Sequence, residues 1–275
     1  MKSFEGQVVV ITGGATGIGF ALAKRIGRDG ANIVIAEPRR HRLEEAVENL
    51  SGEGVAASHF VCDVSDIEQV EMLASGVWAQ YGRVDVLMNN AGVASAPSPI
   101  SETSIEDLHH VFKVNVFGVW NGCAVFGKRM AAQSTSSAIY NTGSENSLYN
   151  GLTNSAAYVA SKHAVLGLTD AFRAEMPDHV HVGTIFPGFV QSELVPKPFL
   201  EYGMNTDRFA DVIVQQMYEQ SPYIVSHAHN MVGVQERYDQ LAKAYEEYAP
   251  RYEGDDEYHP ATVRNRLMNE AKDKT

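Results

Sequence analysis

Cysteine is nearly absent. The 275-residue chain has two, Cys62 and Cys123. Neither has a CxxC partner, and two thiols in a chain this long make no disulfide framework. A disulfide-stapled secreted fold is excluded, and a reducing, cytoplasmic compartment is expected. Each thiol reads as a small buried hydrophobe. Basic charge is also short: 22 Lys and Arg stand against 34 Asp and Glu, for a formal net charge of −12. That argues against nucleic-acid or anionic-membrane partners, which call for basic patches. It leaves room for an anionic cofactor, which helix N-termini and backbone N–H groups can hold locally. No apolar run reaches transmembrane length, and the opening Met1-Lys2-Ser3-Phe4-Glu5-Gly6 lacks the apolar stretch of a signal peptide. The ten histidines form no HExxH or other ligand spacing. His109, His110, His227 and His229 therefore read as structural or solvated, and no metal is expected. Repeats and low-complexity stretches are absent too.

What is present is a regular alternation of short apolar runs and amphipathic stretches. Segments 7–12, 32–36, 58–62, 84–88, 138–142, 180–186 and 223–225 read as strands. Helices are expected over 18–28, 39–50, 67–81, 105–132, 155–176, 207–219 and 232–248. Strands rich in Val and Ile without strict alternation indicate a parallel sheet covered on both faces. The predicted fold is α/β: a Rossmann-like, doubly wound parallel sheet of about seven strands, flanked by helices on both faces. It forms a single domain, 1–226 being the dinucleotide-binding catalytic part. Residues 227–275 are a C-terminal helical extension ending in a polar tail from 253. The 105–132 helix, apolar on most sides (Val114, Val116, Phe117, Val119, Trp120, Val125, Phe126), is expected in the core or at a subunit contact.

The first strand runs into Thr12-Gly13-Gly14-Ala15-Thr16-Gly17-Ile18-Gly19 and then a helix. Glycines allow positive φ and close backbone approach, and the helix N-terminus offers N–H groups to a pyrophosphate. The spacing is TGxxxGxG, not GxGxxG. The second strand ends in Glu37, where a carboxylate accepts hydrogen bonds from ribose hydroxyls and repels a 2′-phosphate, which favours NAD. Arg39 and Arg40 just beyond leave NADP open, since arginines there can take a 2′-phosphate. Further along stand Asp63-Val64, Asn89-Asn90-Ala91-Gly92, Asn115 within Val114-Asn115-Val116, Ser144, Tyr158-Val159-Ala160-Ser161-Lys162, and Pro187-Gly188-Phe189-Val190-Gln191-Ser192.

In that order these motifs resemble the short-chain dehydrogenase/reductase family, over roughly 4–225. The resemblance implies a catalytic set of Asn115, Ser144, Tyr158 and Lys162. It implies a nucleotide site from Thr12, Gly13, Thr16, Gly17, Ile18, Gly19, Glu37, Asp63, Val64, Asn90, Ala91, Gly92, Tyr158, Lys162, Pro187, Gly188, Val190 and Ser192. Tyr158 and Lys162 are i and i+4, so they share one helical face. A tyrosine is a poor base near neutral pH, and a nearby ammonium and a cationic nicotinamide both favour its phenolate. Tyr158 would remove the hydroxyl proton, and Ser144 would hold the substrate oxygen. By the resemblance, Lys162 would also bind the nicotinamide ribose and Asn115 would hold a water in a proton relay.

The loop 190–205 falls where the family closes over substrate. Its Leu194 and Phe199, with Ser144, Leu148, Tyr149, Tyr158 and Phe189, predict a largely apolar substrate pocket. Glu145 is expected in solvent or at a subunit contact, with a polar substrate group as the alternative partner. The expected substrate is a hydrophobic secondary alcohol or ketone, aromatic or alicyclic. The 223–227 segment with Glu236-Arg237-Tyr238 resembles family members acting on bulky alcohols, dehydrogenases of lignin-derived aryl carbinols among them. A homodimer or homotetramer is expected, because the 105–132 and Tyr158 helices are the family's usual dimer faces. Two other readings stay open: an NADP-dependent carbonyl reductase and a non-catalytic nucleotide sensor.

Overall fold

Seven parallel strands stand in the order β3-β2-β1-β4-β5-β6-β7. They are β1 (Val8–Thr12), β2 (Asn32–Glu37), β3 (Ala57–Val61), β4 (Val86–Asn89), β5 (Ser137–Thr142), β6 (Val180–Phe186) and β7 (Tyr223–Val225). The computed structural model describes residues 3–272. The helices are α1 (Gly17–Arg28), α2 (Arg40–Gly52), α3 (Ile67–Tyr81), α4 (Ile105–Phe112), α5 (Gly118–Ala132), α6 (Ala156–Glu175), α7 (Thr206–Tyr218), α8 (Asn230–Tyr248) and α9 (Pro260–Lys272). The chain divides into two compact units, Met1–Asn230 and Met231–Thr275.

Alternate residues of each strand feed two cores. Val9, Ile11, Ile33 and Ile35 pack with Leu22 and Ile26 of α1, Leu43 and Leu50 of α2, and Phe209, Ile213 and Met217 of α7. Val8, Val10 and Val34 pack on the other face with Val70, Leu73 and Val77 of α3, Val119 and Phe126 of α5, and Val165 of α6. All of these side chains are buried, each worth roughly 1.5–3 kcal/mol of transfer free energy where it is a large aliphatic or Phe. The chain runs outward from β1 through β2 to β3 and then crosses back to β4 on the other side of β1, so the strand order reverses between β1 and β4. That reversal opens a crevice at the carboxyl ends of the strands.

Two expected elements differ. The single helix expected over 105–132 is α4 and α5 joined by a π-helical turn, Lys113–Phe117, in which the Gly118 N–H reaches back to Lys113 O. The wider turn carries Asn115 inward, fully buried, while Phe117 and Trp120 are exposed. The expected polar tail from 253 contains α9, whose Val263, Leu267 and Ala271 recur every fourth residue behind Pro260 at its start. Cys62 and Cys123 are buried free thiols, and burial pushes each up to about 12.

A polar ladder crosses the second core at mid-sheet. Asn89 Nδ2 donates to Asn141 Oδ1 (2.8 Å), and Asn141 Nδ2 donates to Thr169 Oγ1 (3.0 Å). Gly122 of α5 lies so close to Asn89 that a Cβ there would sit 2.0 Å from its Oδ1. Gly122→Ala is expected to cost about 1–3 kcal/mol of overpacking, read as a lower urea midpoint at unchanged m-value.

Candidate active site

The crevice between β1 and β4 is built on one threonine. Thr12 Oγ1 accepts from the N–H groups of Asn90 (3.0 Å) and Ala91 (3.1 Å). The Asn90 side-chain amide donates back to Thr12 O (3.1 Å) and Gly13 O (3.2 Å). The turn after β1 is thereby pressed against the segment after β4: a Cβ at Gly13 would lie 2.8 Å from the Ala91 Cα, and one at Gly19 only 2.3 Å from Gly13 O. Gly13 (φ +62°) and Gly17 (φ +55°) take the left-handed conformation that side chains resist. Thr16, the N-cap of α1, makes no side-chain cap, so the first N–H groups of the helix are left to a ligand. Ser192, from the loop after β6, lies opposite, its Cβ 3.4 Å from a Cβ placed on Gly17. A glycine-floored cradle at a helix N-terminus fits a pyrophosphate. At its far end Glu37 is buried at the tip of β2, and Asp63 beyond β3 is oriented by Ser65, whose N–H (2.9 Å) and Oγ (2.7 Å) donate to its Oδ1.

The catalytic candidates collect at the other end. Ser144 follows β5 and caps a single 3₁₀ turn, Glu145–Ser147: its Oγ accepts from Asn146 N (3.2 Å) while its own N–H donates to Ser147 Oγ (3.1 Å). Ser147 Oγ in turn donates to Lys162 O (2.7 Å) on α6. Glu145 N–H donates to Pro187 O (2.9 Å), tying this turn to the Pro187-Gly188 segment. Lys162 is buried, its Nζ donating to Thr142 O (2.9 Å) and lying 5.7 Å from the Tyr158 ring centroid. Asn115 spends its side chain on structure: its Oδ1 accepts from Val93 N (2.8 Å), and its Nδ2 donates to Val93 O (2.9 Å) and Ser161 Oγ (3.0 Å). Asn115 thus locks the chain after β4 to α6.

Two electrostatic findings refine the expectation. Burial raises Tyr158 above its ordinary value of 10; hydrogen bonding with Ser144 opposes this, and the charge of Glu145 reinforces it. Burial lowers Lys162 to about 8. Burial thus opposes the charged form of both groups.

Of the expected substrate residues, Leu148 and Tyr149 are half-buried beside Ser144, whereas Phe189, Leu194 and Phe199 are exposed. The loop is closed at its neck by Gln191 N–H to Met204 O (3.0 Å) and Met204 N–H to Phe189 O (2.8 Å). The Val190 side chain is committed to the core on the α1 face. Glu145 is not in solvent. It is half-buried, and Tyr149 Oη lies 3.4 Å from both its Oε2 and the Asn230 Oδ1. Ser147, Ser161, Thr142 and Glu193 are site-shaping residues that the sequence reading missed. Only the position of Ser161 within Tyr158–Lys162 offered a signal. Among the described residues no group of three His, Cys, Asp or Glu is placed to hold a metal, and no helix is long and apolar enough to cross a membrane.

A family model described as short chain dehydrogenase matches residues 7–201. The chain belongs to the short-chain dehydrogenase family. This short-chain dehydrogenase is 36% identical over 194 residues to the probable oxidoreductase EphD of Mycobacterium tuberculosis; the match covers 70% of this chain but 32% of EphD, so the chain spans about a third of that relative's length. It is 36% identical to the D-threitol dehydrogenase of Mycolicibacterium smegmatis, over 69% of this chain and 72% of that one. It is 30% identical to the 2,5-dichloro-2,5-cyclohexadiene-1,4-diol dehydrogenase of Sphingobium indicum, over 75% of this chain and 80% of that one. A short-chain dehydrogenase/reductase of Burkholderia phymatum, solved in complex with NAD, superposes with a TM-score of 0.82 at 28% identity, covering 88% of this chain and 96% of its own. Among the similar solved structures, one holds NAD and another, a polyketide ketoreductase, holds NADPH.

The depressed Lys162 has a measurable consequence. Between about 8 and the ordinary 10.5 the unfolded chain holds this proton and the folded chain does not, so wild-type stability rises with pH across that window. Urea denaturation should show wild type gaining about 2 kcal/mol on Lys162→Met between about pH 7.5 and about pH 9.5. A pH-independent difference would show that the ammonium carries no burial penalty.

Proposed function

We propose that this short-chain dehydrogenase is NAD-dependent, interconverts a largely hydrophobic secondary alcohol and its ketone, and uses Tyr158 as the proton-transferring group. The observation that carries the reading is the junction of the glycine cradle with a cluster of Ser144, Tyr158 and Lys162, held by Asn115 and Ser161 at the carboxyl ends of β4 and β5. A nicotinamide held at the glycine cradle would supply the hydride acceptor for the carbinol carbon. The chain supplies the rest. Ser144 Oγ holds the substrate oxygen, and Tyr158 Oη takes the hydroxyl proton as the carbonyl forms, returning it in the reverse direction. Lys162, close to Gly92 (3.6 Å from a Cβ placed there), is positioned to hydrogen-bond the nicotinamide ribose. All four catalytic positions are filled, which favours an enzyme over a nucleotide sensor.

Glu37, buried at the end of β2, supports NAD over NADP as the partner of the adenosine ribose. The dehydrogenases of D-threitol and of a cyclohexadienediol among the relatives support a CH–OH substrate, the second of them an alicyclic one. Both are diols. Glu145, beside Ser144 and backed by Tyr149, gives the otherwise apolar pocket a corner that can accept a hydrogen bond from a second hydroxyl. Two buried free thiols support residence in the cytoplasm. Exposed Phe117 and Trp120, at the start of α5, support a homodimer or homotetramer.

A panel of secondary alcohols with NAD, followed by reduced-nicotinamide absorbance, tests the activity. With any accepted alcohol, Tyr158→Phe should lower kcat by about 10²–10⁴-fold at an unchanged melting temperature. Turnover within twofold of wild type would sink the mechanism. Because burial raises Tyr158, oxidation by wild type should accelerate as the pH rises above neutrality, and reduction should slow. Light scattering after gel filtration should report a dimer or tetramer, and Trp120→Glu should shift it toward monomer.

A further inference from the structure

The carboxylate of Glu37 is the sequence's argument for NAD, yet the arginines that follow it argue the other way. The tertiary structure places a second carboxylate among them. Glu193 comes from the loop after β6, immediately beyond Ser192, the residue that faces Gly17 across the cradle. Its Oε2 lies 3.0 Å from Arg39 Nη2 and its Oε1 lies 3.8 Å from Arg42 Nη2. Arg39 also turns its Nε to Glu37 Oε1, to which its backbone N–H donates as well (3.3 Å). Arg39 is therefore bracketed by one carboxylate from the end of β2 and another from the substrate loop. The remaining basic group, Arg40, is exposed and 4.0 Å from Glu44 of its own helix.

We infer that Glu193 is a cofactor-selectivity residue, occupying the basic start of α2 so that it cannot serve a 2′-phosphate. A guanidinium binds phosphate best through two parallel N–H groups. Here Arg39 already gives its Nε edge to Glu37 and an Nη to Glu193. A 2′-phosphate, with close to two negative charges, would have to displace one carboxylate and lie against the other. The ribose hydroxyls of NAD carry no charge and meet no such opposition. Each exposed ion pair is weak alone, but the two arginines and two carboxylates form one network in which Glu193 is the member contributed from far along the chain. Its removal leaves Arg39 and Arg42 with one nearby carboxylate fewer, and so available to an incoming anion.

This inference rests on the proposed placement of the adenosine ribose at Glu37. The test is a fluorescence or calorimetric titration of wild type and Glu193→Gln with NAD and with NADP, without substrate. The ratio of Kd for NADP to Kd for NAD should fall by about fivefold or more in Glu193→Gln. In the background Arg39→Gln, adding Glu193→Gln should move the ratio by less than about twofold, because the effect acts through the arginine. An unchanged ratio in Glu193→Gln, or an equal fall in the Arg39→Gln background, overturns the inference. The wild-type ratio is a separate readout: tighter binding of NADP than of NAD overturns the NAD reading, while the change on Glu193→Gln still tests the role of that carboxylate. Melting temperatures of the three variants identify any that is misfolded. Should Glu193→Gln fail to fold, Glu193→Asp, which withdraws the carboxylate by one methylene, should show the same direction of change.

Discussion

The Thr12 hydroxyl, accepting two backbone N–H groups across the gap between β1 and β4, is the contact on which the rest of the site depends. Strand order reverses at that gap, so the two strands separate at their carboxyl ends and their following segments must be fastened by something other than a ladder. Thr12 and the Asn90 amide do this with four hydrogen bonds. The glycines are a consequence. With the segments this close, Gly13 and Gly19 have no space for a Cβ, and the backbone of the turn is left bare for an anion.

The second fastening runs through Asn115. A regular helix would carry this side chain around the helix surface; the π-helical turn brings it inside, where it bridges Val93 and Ser161. Ser147 does the corresponding task from the Ser144 turn, reaching the carbonyl of Lys162. Tyr158 and Lys162 thus lie on a helix held at the chain segment after β4 and at the Ser144 turn. Such support is what keeps a reacting group within a fraction of an ångström of its productive position. The cost is electrostatic: a buried lysine pulled down to about 8 and a tyrosine pushed up by the same burial. Burial therefore favours the neutral phenol.

Much of this was legible in the chain. Val- and Ile-rich runs separated by amphipathic stretches located the seven strands to within one or two residues, most clearly the central ones, which are buried on both faces. Tyr158 and Lys162 stood out only within the ordered set of motifs that carries the family resemblance, and the glycine turn through its place after the first strand. Less legible were interruptions within one periodic pattern. The residues of 105–132 read as one helix because a π turn adds a residue without changing the apolar content. Pro260 with Val263 and Leu267 was passed over as tail because four-residue recurrence in a polar segment is a weak signal.

By itself the sequence determined the fold class, the family and the glycine turn after the first strand, since these follow from local spacing and residue chemistry. Only the tertiary structure decided what the polar and charged side chains experience. Lys162 is lowered to about 8 by burial, Asn115 is spent on Val93 and Ser161, Glu145 is drawn in beside Ser144, and Arg39 is claimed by Glu193, a residue 154 positions away. Burial and pairing between distant segments set a charge's energy, and neither is a property of any one stretch of chain.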